Sequence, residues 1–322
     1  MTPIVTRERF SDFGQYREQL RCWDTEAVQL TPGRLSLAFD CFDTGSVVLS
    51  RLQFDQDAVV RAARKPGWHA FFTHVQPKRW CGVDLPAGAI VSMRPGRETN
   101  TVSHSRWSSI TILVKDDTLA SWPSPLGGLV DRDVAPARSF IPTAPDAIER
   151  FRAWLQLLFC TPVPTDSEED TATYIDAIRE RLQQYMLEVL GHRYPAGPVS
   201  SAHRVARYDL ALAALRLIHR ETSDRITVGS LARELGVGVR SLEHAFRHVV
   251  GVSPARYILA DRLNRVRHRL MAATKTTETV TNAAFDHQFD NLSRFAMQYA
   301  RLFDERPSDT LRGARRSFHA AR

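Results

Sequence analysis

Between about residues 30 and 115 the apolar positions come in short runs, at 35–39, 47–52, 70–75, 89–93 and 109–114. Turn pairs such as Pro32-Gly33, Pro66-Gly67 and Pro95-Gly96 break them. Runs of that length between turn residues predict strands, and their spacing suits an antiparallel sandwich or barrel rather than alternating βαβ units. After Pro145 the period changes. Ile148, Phe151, Leu155 and Leu158 recur at helical spacing and predict a helix over about 145–160. Residues 161–170 (TPVPTDSEED) are Pro-rich and then acidic, which predicts an exposed loop. A second helix is predicted over 173–191, where Ile175, Ile178, Leu182, Tyr185 and Val189 are spaced 3, 4, 3, 4. Such a seam fits a dimerisation helix, the expectation adopted here, or a helix packed on its own β-domain. Gly191 ends it, and residues 194–201 (YPAGPVSS) read as a linker, so the chain divides into 1–200 and 201–322.

The second part is helical nearly throughout and contains an internal repeat. In residues 226–254, Thr227 is placed to cap a helix whose inward residues are Leu231, Ala232 and Leu235. Gly236-Val237-Gly238 makes a tight turn, and a second helix carries Leu242, Ala245, Phe246 and Val249 inward. A small residue facing the partner helix and a short Gly turn are what a helix-turn-helix requires. Residues 279–307 repeat the pattern. Shifting by 53 pairs Leu242 with Phe295, Phe246 with Tyr299 and Pro254 with Pro307, while upstream a shift of 52 pairs Ala232 with Ala284 and Gly236 with Gln288. A turn one residue longer in the second copy is the implied difference. Between the copies, residues 254–271 form a basic helix with Arg256, Arg262, Arg265, Arg267 and Arg269, read as candidate phosphate contacts.

Charge strengthens this division. Residues 1–200 carry a net charge of −2 and residues 201–322 a net of +9, with Lys275 the only lysine in the latter. A basic module on a slightly acidic body suits a polyanion partner. With 322 residues and 43% apolar content the chain has length for two packed cores. No apolar run approaches the ~20 residues that cross a bilayer. Arg7, Glu8 and Arg9 leave no apolar stretch for a secretory signal, so a cytoplasmic location is expected. Cys22, Cys41, Cys81 and Cys160 lie far apart, without metal-ligand spacing, and are expected to be reduced, buried thiols.

The segments LARELGV, SLEHAF, GVSP and FDNLSRFAMQYARLFDERPSDTL together resemble the C-terminal domain of AraC/XylS-type transcription regulators over about 100 residues. The resemblance implies a double helix-turn-helix DNA reader preceded by a regulatory domain of cupin-like β-barrel type with dimerisation helices. The expected fold class is therefore α+β, with an all-α C-terminal domain. The expected partners are double-stranded DNA, a small-molecule effector, a second copy of the chain and, for an activator, RNA polymerase. No cofactor or membrane is implied.

Helix geometry selects the DNA-facing residues. With Leu242, Ala245 and Phe246 inward, Arg240, Glu243, His244 and Arg247 share the outward face, and Ser241 lies beside them. Arg240, Glu243 and His244 match the family's base-reading positions; Arg pairs bidentately with guanine and Glu accepts from cytosine N4. Arg247 suits a phosphate. In the second unit the outward residues are Leu292, Ser293, Ala296 and Met297 with Arg294 alongside, a face with few bidentate donors, suited to thymine methyls or to positioning. The family usually has Gly where Gln288 and Asp304 stand, so a positive φ at either would cost ~1 kcal/mol or more.

Two other functional classes compete with this reading. A cupin-type metalloenzyme would draw ligands from His69, His74 and His104 with Asp84 or Glu98. His69 and His74, five apart, belong on opposite faces of a strand, and no compact ligand cluster or phosphate-binding loop appears. A DNA-binding regulator without ligand is the other alternative. Against it stand Phe39, Phe42, Trp68, Phe71, Phe72, Trp80 and Trp107, which suit a pocket, with Arg94, Arg97 and His104 nearby to orient an anion.

Overall fold

The computed structural model describes residues 4–20, 23–64, 66–74, 78–80, 83–85, 88–93, 98–103, 107–123, 140–141, 145–162, 167–191, 202–220, 226–273 and 278–320. The linker 194–201, Cys22, Cys81, Arg94, Arg97 and His104 lie outside them, as do the side chains of Trp80, Asp84 and Glu98.

The first part is two antiparallel sheets. The larger holds β1 (Ile4–Phe10), β3 (Leu37–Asp43), β4 (Val47–Phe54), β11 (Trp107–Lys115), β6 (Trp68–His74), β9 (Ile90–Met93) and β12 (Phe140–Ile141), in that order. The smaller holds β2 (Trp23–Gln29), β5 (Ala58–Arg64), β10 (Glu98–Ser103), β7 (Lys78–Trp80) and β8 (Val83–Leu85). The fold is mixed α+β, and among the described residues the strands form two facing sheets rather than one closed barrel. Strands begin at Ile4, well before the predicted start near residue 30. β1 (IVTRERF) is an edge strand whose alternate residues Val5, Arg7 and Arg9 are exposed, so it lacks the apolar run that marked the others.

One face of the larger sheet is covered by α3 (Pro145–Cys160) and α4 (Glu168–Gly191), which follow the short α1 (Phe13–Gln19) and α2 (Asp116–Ala120). Phe71, Ile112 and Val114 from the sheet pack there with Phe151, Leu155 and Leu182. Two expectations fail at α4. It starts at Glu168, inside the stretch read as a loop, because Ser167 Oγ accepts from the Asp170 backbone N–H (3.0 Å) and donates to its carboxylate (2.7 Å). This reciprocal cap, with acidic residues at the positive end of the helix dipole, outweighs their polarity. The heptad seam is also not a free dimer surface. Ile175, Ile178, Leu182 and Val189 are buried against their own domain, and Tyr185 lies 5.6 Å from the Phe151 ring and 5.3 Å from the Trp154 ring. The opposite face of α4, with Asp176, Glu180 and Gln184, is the exposed one. The cysteine expectation fails in part too: Cys41 and Cys160 are free thiols, but Cys160 is exposed.

The second part is helical: α5 (Ala202–His219), α6 (Val228–Glu234), α7 (Val239–Val250), α8 (Pro254–Met271), α9 (Val280–Asp286), α10 (Leu292–Phe303) and α11 (Pro307–Ala320). α8 is the spine: its buried Tyr257, Leu263, Val266 and Leu270 join a core that runs from Phe246 of α7 to Phe295 and Tyr299 of α10. The same helix packs on β2, so the two parts share one continuous apolar cluster.

Candidate nucleic-acid interface

The two helix-turn-helix units are built alike. α6 and α9 each have seven residues, capped by Thr227 and Thr279, whose side chains accept from the N–H of Ser230 and Asn282. α7 and α10 each have twelve residues, and their starts differ by 53 while those of α6 and α9 differ by 52. The extra residue therefore sits in the second turn, as the sequence repeat implied. Both turns need a left-handed residue. Gly236 has φ 65°, and so does Gln288 at the equivalent position; Gly251 ends α7 at φ 83°, and Asp304 ends α10 at φ 54°. Gln288 and Asp304 are the positive-φ residues other than glycine among those described.

In α7 the inward residues Leu242, Ala245, Phe246 and Val249 are buried, leaving Arg240, Ser241, His244 and Arg247 exposed and Glu243 half-exposed. These are the residues expected to face DNA, and they occur on one face. Glu243 and Arg247 lie 3.9 Å apart in an exposed i, i+4 pair, too weak to hold Arg247 from a phosphate. Arg240 has no ion-pair partner among the described residues. Gly238 caps α7 without a side chain, whereas Asn291 accepts from the Arg294 N–H at 2.9 Å to cap α10. On α10, Phe295, Tyr299, Leu302 and Phe303 are buried, while Leu292, Ser293, Arg294, Ala296 and Met297 are exposed.

All five connector arginines make contacts within the protein, although Arg256 is itself exposed and only Arg267 is buried. Arg256 donates to Leu30 O (3.2 Å) and Arg262 to Ile226 O (3.0 Å). Arg265 pairs with Asp261 (2.9 Å), and Arg269 with Glu278 (2.9 Å) and Asp286 (2.5 Å). Arg267, its side chain 7% exposed, lies between Asp12 (3.3 Å) and Glu305 (2.5 Å) and donates to Ser11 O. The buried Arg267 serves as an internal tie and has no surface to offer a phosphate, which corrects the expectation for it.

The contacts of Arg256 and Arg267 join the first part of the chain to the second. The Asn264 amide exchanges two hydrogen bonds of 3.1 Å with the Gln29 backbone, and the Gln29 side chain donates to Leu302 O at 3.1 Å. Gly33 N–H donates to the same carbonyl at 3.0 Å. Nearby, His219 Nδ1 is 3.0 Å from Glu26 and 3.9 Å from Asp261, and its Nε2 is 2.8 Å from the Tyr257 hydroxyl. The hydrogen bond from His219 holds the Glu26 carboxyl at about 2, with Arg61 and Arg17 adding to the effect against the opposing burial. Burial pushes Asp261 up, countered by His219 and Arg265. A cleft of about 370 Å³ opens here, lined among others by Arg17, Glu26, His219, Arg265 and His268. Sequence reasoning missed Asp12, Glu26, Gln29 and His219, because no local pattern marks a residue whose partner is two hundred positions away.

A second cavity, about 90 Å³, lies between the sheets and is lined by Thr25, Thr99 and Thr101 from one and Phe72, His74, Trp107 and Ser109 from the other. Of the aromatics singled out in the sequence, Phe72 and Trp107 reach it. Phe42 and Phe71 pack beneath the helices, Phe39 packs with Phe13 and Phe54, and Trp68 lies 5.7 Å from the Lys115 ammonium. His69 and His74 are on opposite faces of β6: His69 meets the Ser92 hydroxyl at 2.8 Å, and His74 faces the cavity. Among the described residues no three potential ligand side chains converge on a metal position.

With this geometry in view, the match to a known family falls in the second part. Residues 231–313 match a family described as a helix-turn-helix domain. The chain is 29% identical over 164 residues to the probable thc operon regulatory protein of Rhodococcus erythropolis, covering 50% of this chain and 49% of that protein. It is 33% identical over 98 residues to the XylDLEGF operon transcriptional activator of Pseudomonas putida, covering 30% of each. A crystal structure of a probable AraC family transcriptional regulator from Rhodopseudomonas palustris shares 32% identity, with a TM-score of 0.31, over 33% of this chain and 98% of that one. The chain thus matches about half or less of the curated relatives' length. Its C-terminal domain is a DNA-binding helix-turn-helix domain of the AraC/XylS type.

Proposed function

We propose that the protein is a sequence-specific transcription regulator, acting in the cytoplasm, in which residues 201–322 read an operator and residues 1–200 sense and transmit. The observation that carries this reading is the duplicated helix-turn-helix on one rigid connector, with an uncommitted Arg240 on the first exposed helix face. Two such units suit successive major grooves on one DNA face, roughly 34 Å apart. Arg240 pairs with guanine, Glu243 accepts from a cytosine amino group, His244 meets a base edge, and Arg247 and Ser241 meet the backbone. From the second unit Leu292, Ser293, Arg294 and Met297 face the duplex.

For the first part we favour a cupin-like sensor, because aromatic and hydroxyl side chains converge on the inter-sheet cavity. At about 90 Å³ that cavity holds only a very small effector without opening, well under the ~300 Å³ usual for a ligand site. An effector that favours one arrangement of the two parts acts by its differential affinity for it. A homodimer, if the operator needs one, uses a surface other than the buried α4 seam.

The test is selection of random-sequence duplexes on the full-length chain at ~150 mM salt, where arginine–phosphate attraction alone is weak. An enriched motif is expected, with Arg240→Ala costing about 1–3 kcal/mol on it and relaxing the preference at one position. Failure to enrich any motif would overturn the reading.

A further inference from the structure

The second unit presents a face of different chemistry from the first. With the shift of 53, the α7 positions 240, 243, 244 and 247 correspond on α10 to Ser293, Ala296, Met297 and Ala300. Arg, Glu, His and Arg are replaced by a hydroxyl, two methyls and a thioether. The face is open to solvent: Met297 is 68% exposed and Leu292 36%. Its backbone setting is unchanged, since α10 has the same length as α7, a sound Asn291 cap, and buried Phe295 and Tyr299 where α7 has Leu242 and Phe246. Arg294 and Arg301 flank it, exposed and without ion-pair partners among the described residues.

We infer that α10 reads a thymine-rich half-site through the C5-methyl groups of its bases, so that the operator is chemically two-sided: hydrogen-bonded at α7 and apolar at α10. This rests on the DNA-binding reading above. In the major groove thymine alone presents a methyl group, and small apolar side chains are its complement. Both kinds of base pair present two acceptors and one amino donor in the groove, so what an apolar face can distinguish is the methyl, which a G·C pair lacks. The face therefore selects for thymine by contact with its methyl group. Met297 is suited to this work, because its unbranched thioether adapts to an irregular row of methyls. Ser293, the one polar member, is able to donate or accept and tolerates either strand. Arg294 and Arg301 supply backbone contacts that carry no sequence information.

The experiment uses the full-length chain and the operator found by duplex selection. Arg240→Ala identifies the α7 half-site as the one whose preference relaxes. In the other half-site each thymine is replaced in turn by uracil, which removes only the methyl, and affinity is read by fluorescence anisotropy. We expect about fourfold weaker binding for each contacted methyl removed, the worth of one buried carbon. Uracil in the α7 half-site is expected to be without effect. In Met297→Ala, a surface change, the uracil penalty should fall below twofold at one position. A second half-site rich in G·C, no second half-site, or uracil without effect there would overturn the inference and leave the DNA-binding reading standing. Loss of self-association in Met297→Ala with unchanged DNA affinity would mark the face as a protein interface and overturn it equally. Absence of any enriched motif would end both.

Discussion

Replacing Gln288 with Gly should make the DNA-binding domain more stable. Gln288 and Gly236 occupy equivalent turns at the same φ of 65°. A residue with a Cβ in the left-handed region costs about 1–2 kcal/mol. Glycine's greater freedom in the unfolded chain takes back about 0.5–1 kcal/mol. The expected net gain is therefore about 0.5–1 kcal/mol. Gly236→Ala is the mirror experiment, with a loss of about 1 kcal/mol, because an added Cβ there meets nothing within 4 Å and only the backbone is perturbed. Gln288→Ala separates the side chain's own interactions from the backbone, since it keeps the Cβ and removes the rest. All six tryptophans lie before residue 155, so tryptophan fluorescence reports the first part, and far-UV circular dichroism during urea unfolding is the better monitor of the helices. With a slope of about 2 kcal/mol per molar urea, the midpoint of Gln288→Gly should rise by about 0.3–0.5 M over wild type and further over Gln288→Ala. Equal midpoints for the Gly and Ala variants, or an unchanged Gly236→Ala protein, would show that the turn relaxes and that the φ argument is wrong.

Three more outcomes follow from the interior. Arg267→Met should destabilise the protein by about 3–5 kcal/mol in urea titration, because the buried Asp12 and half-buried Glu305 carboxylates are left without a counter-charge; adding Asp12→Asn and Glu305→Gln should recover most of it. Leu182→Ala, at a fully buried position of the α4 seam, should cost about 2–5 kcal/mol and lower the tryptophan-monitored midpoint. A dimer that dissociates in this variant without such a loss would return the seam to an interface role. Glu26, ordinarily near 4.5 and held at about 2, lends stability that is fully present above pH 4.5 and is lost as pH falls toward 2. Glu26→Gln should therefore flatten the decline in stability between pH 5 and pH 3, and a slope identical to wild type would show that the His219 contact does not persist in solution.

Interior groups also hold the two parts of the chain together. β2, the loop after it and α1 grip α8 and the end of α10 through Gln29, Gly33 and Asp12. The polar cleft between the parts is lined by Asp12 and by Asn264, the partner of Gln29.

The helix-turn-helix units were legible in the chain because everything that makes them is local. The 3.6-residue period, the Thr227 and Asn291 caps, the Gly236 turn and the offset between copies all act within about ten residues, and the outward face of α7 follows from which residues point in. Five strands of the larger sheet, β3, β4, β6, β9 and β11, were legible for the same reason, whereas β5, β7, β8 and β10 of the smaller sheet were not among the apolar runs. Other features depend on partners far along the chain. Nothing near Arg267 in sequence distinguishes it from a phosphate-binding arginine; Asp12, 255 positions away, and Glu305 decide its role. The α4 seam has the same period whether it meets a second copy or its own sheet, and only the packing of Phe151 and Trp154 against it chose the latter. β1 is a strand because β3 is there to pair with it, not because its own residues are apolar. Local periodicity fixes which face of an element is apolar, but only tertiary structure decides what covers it.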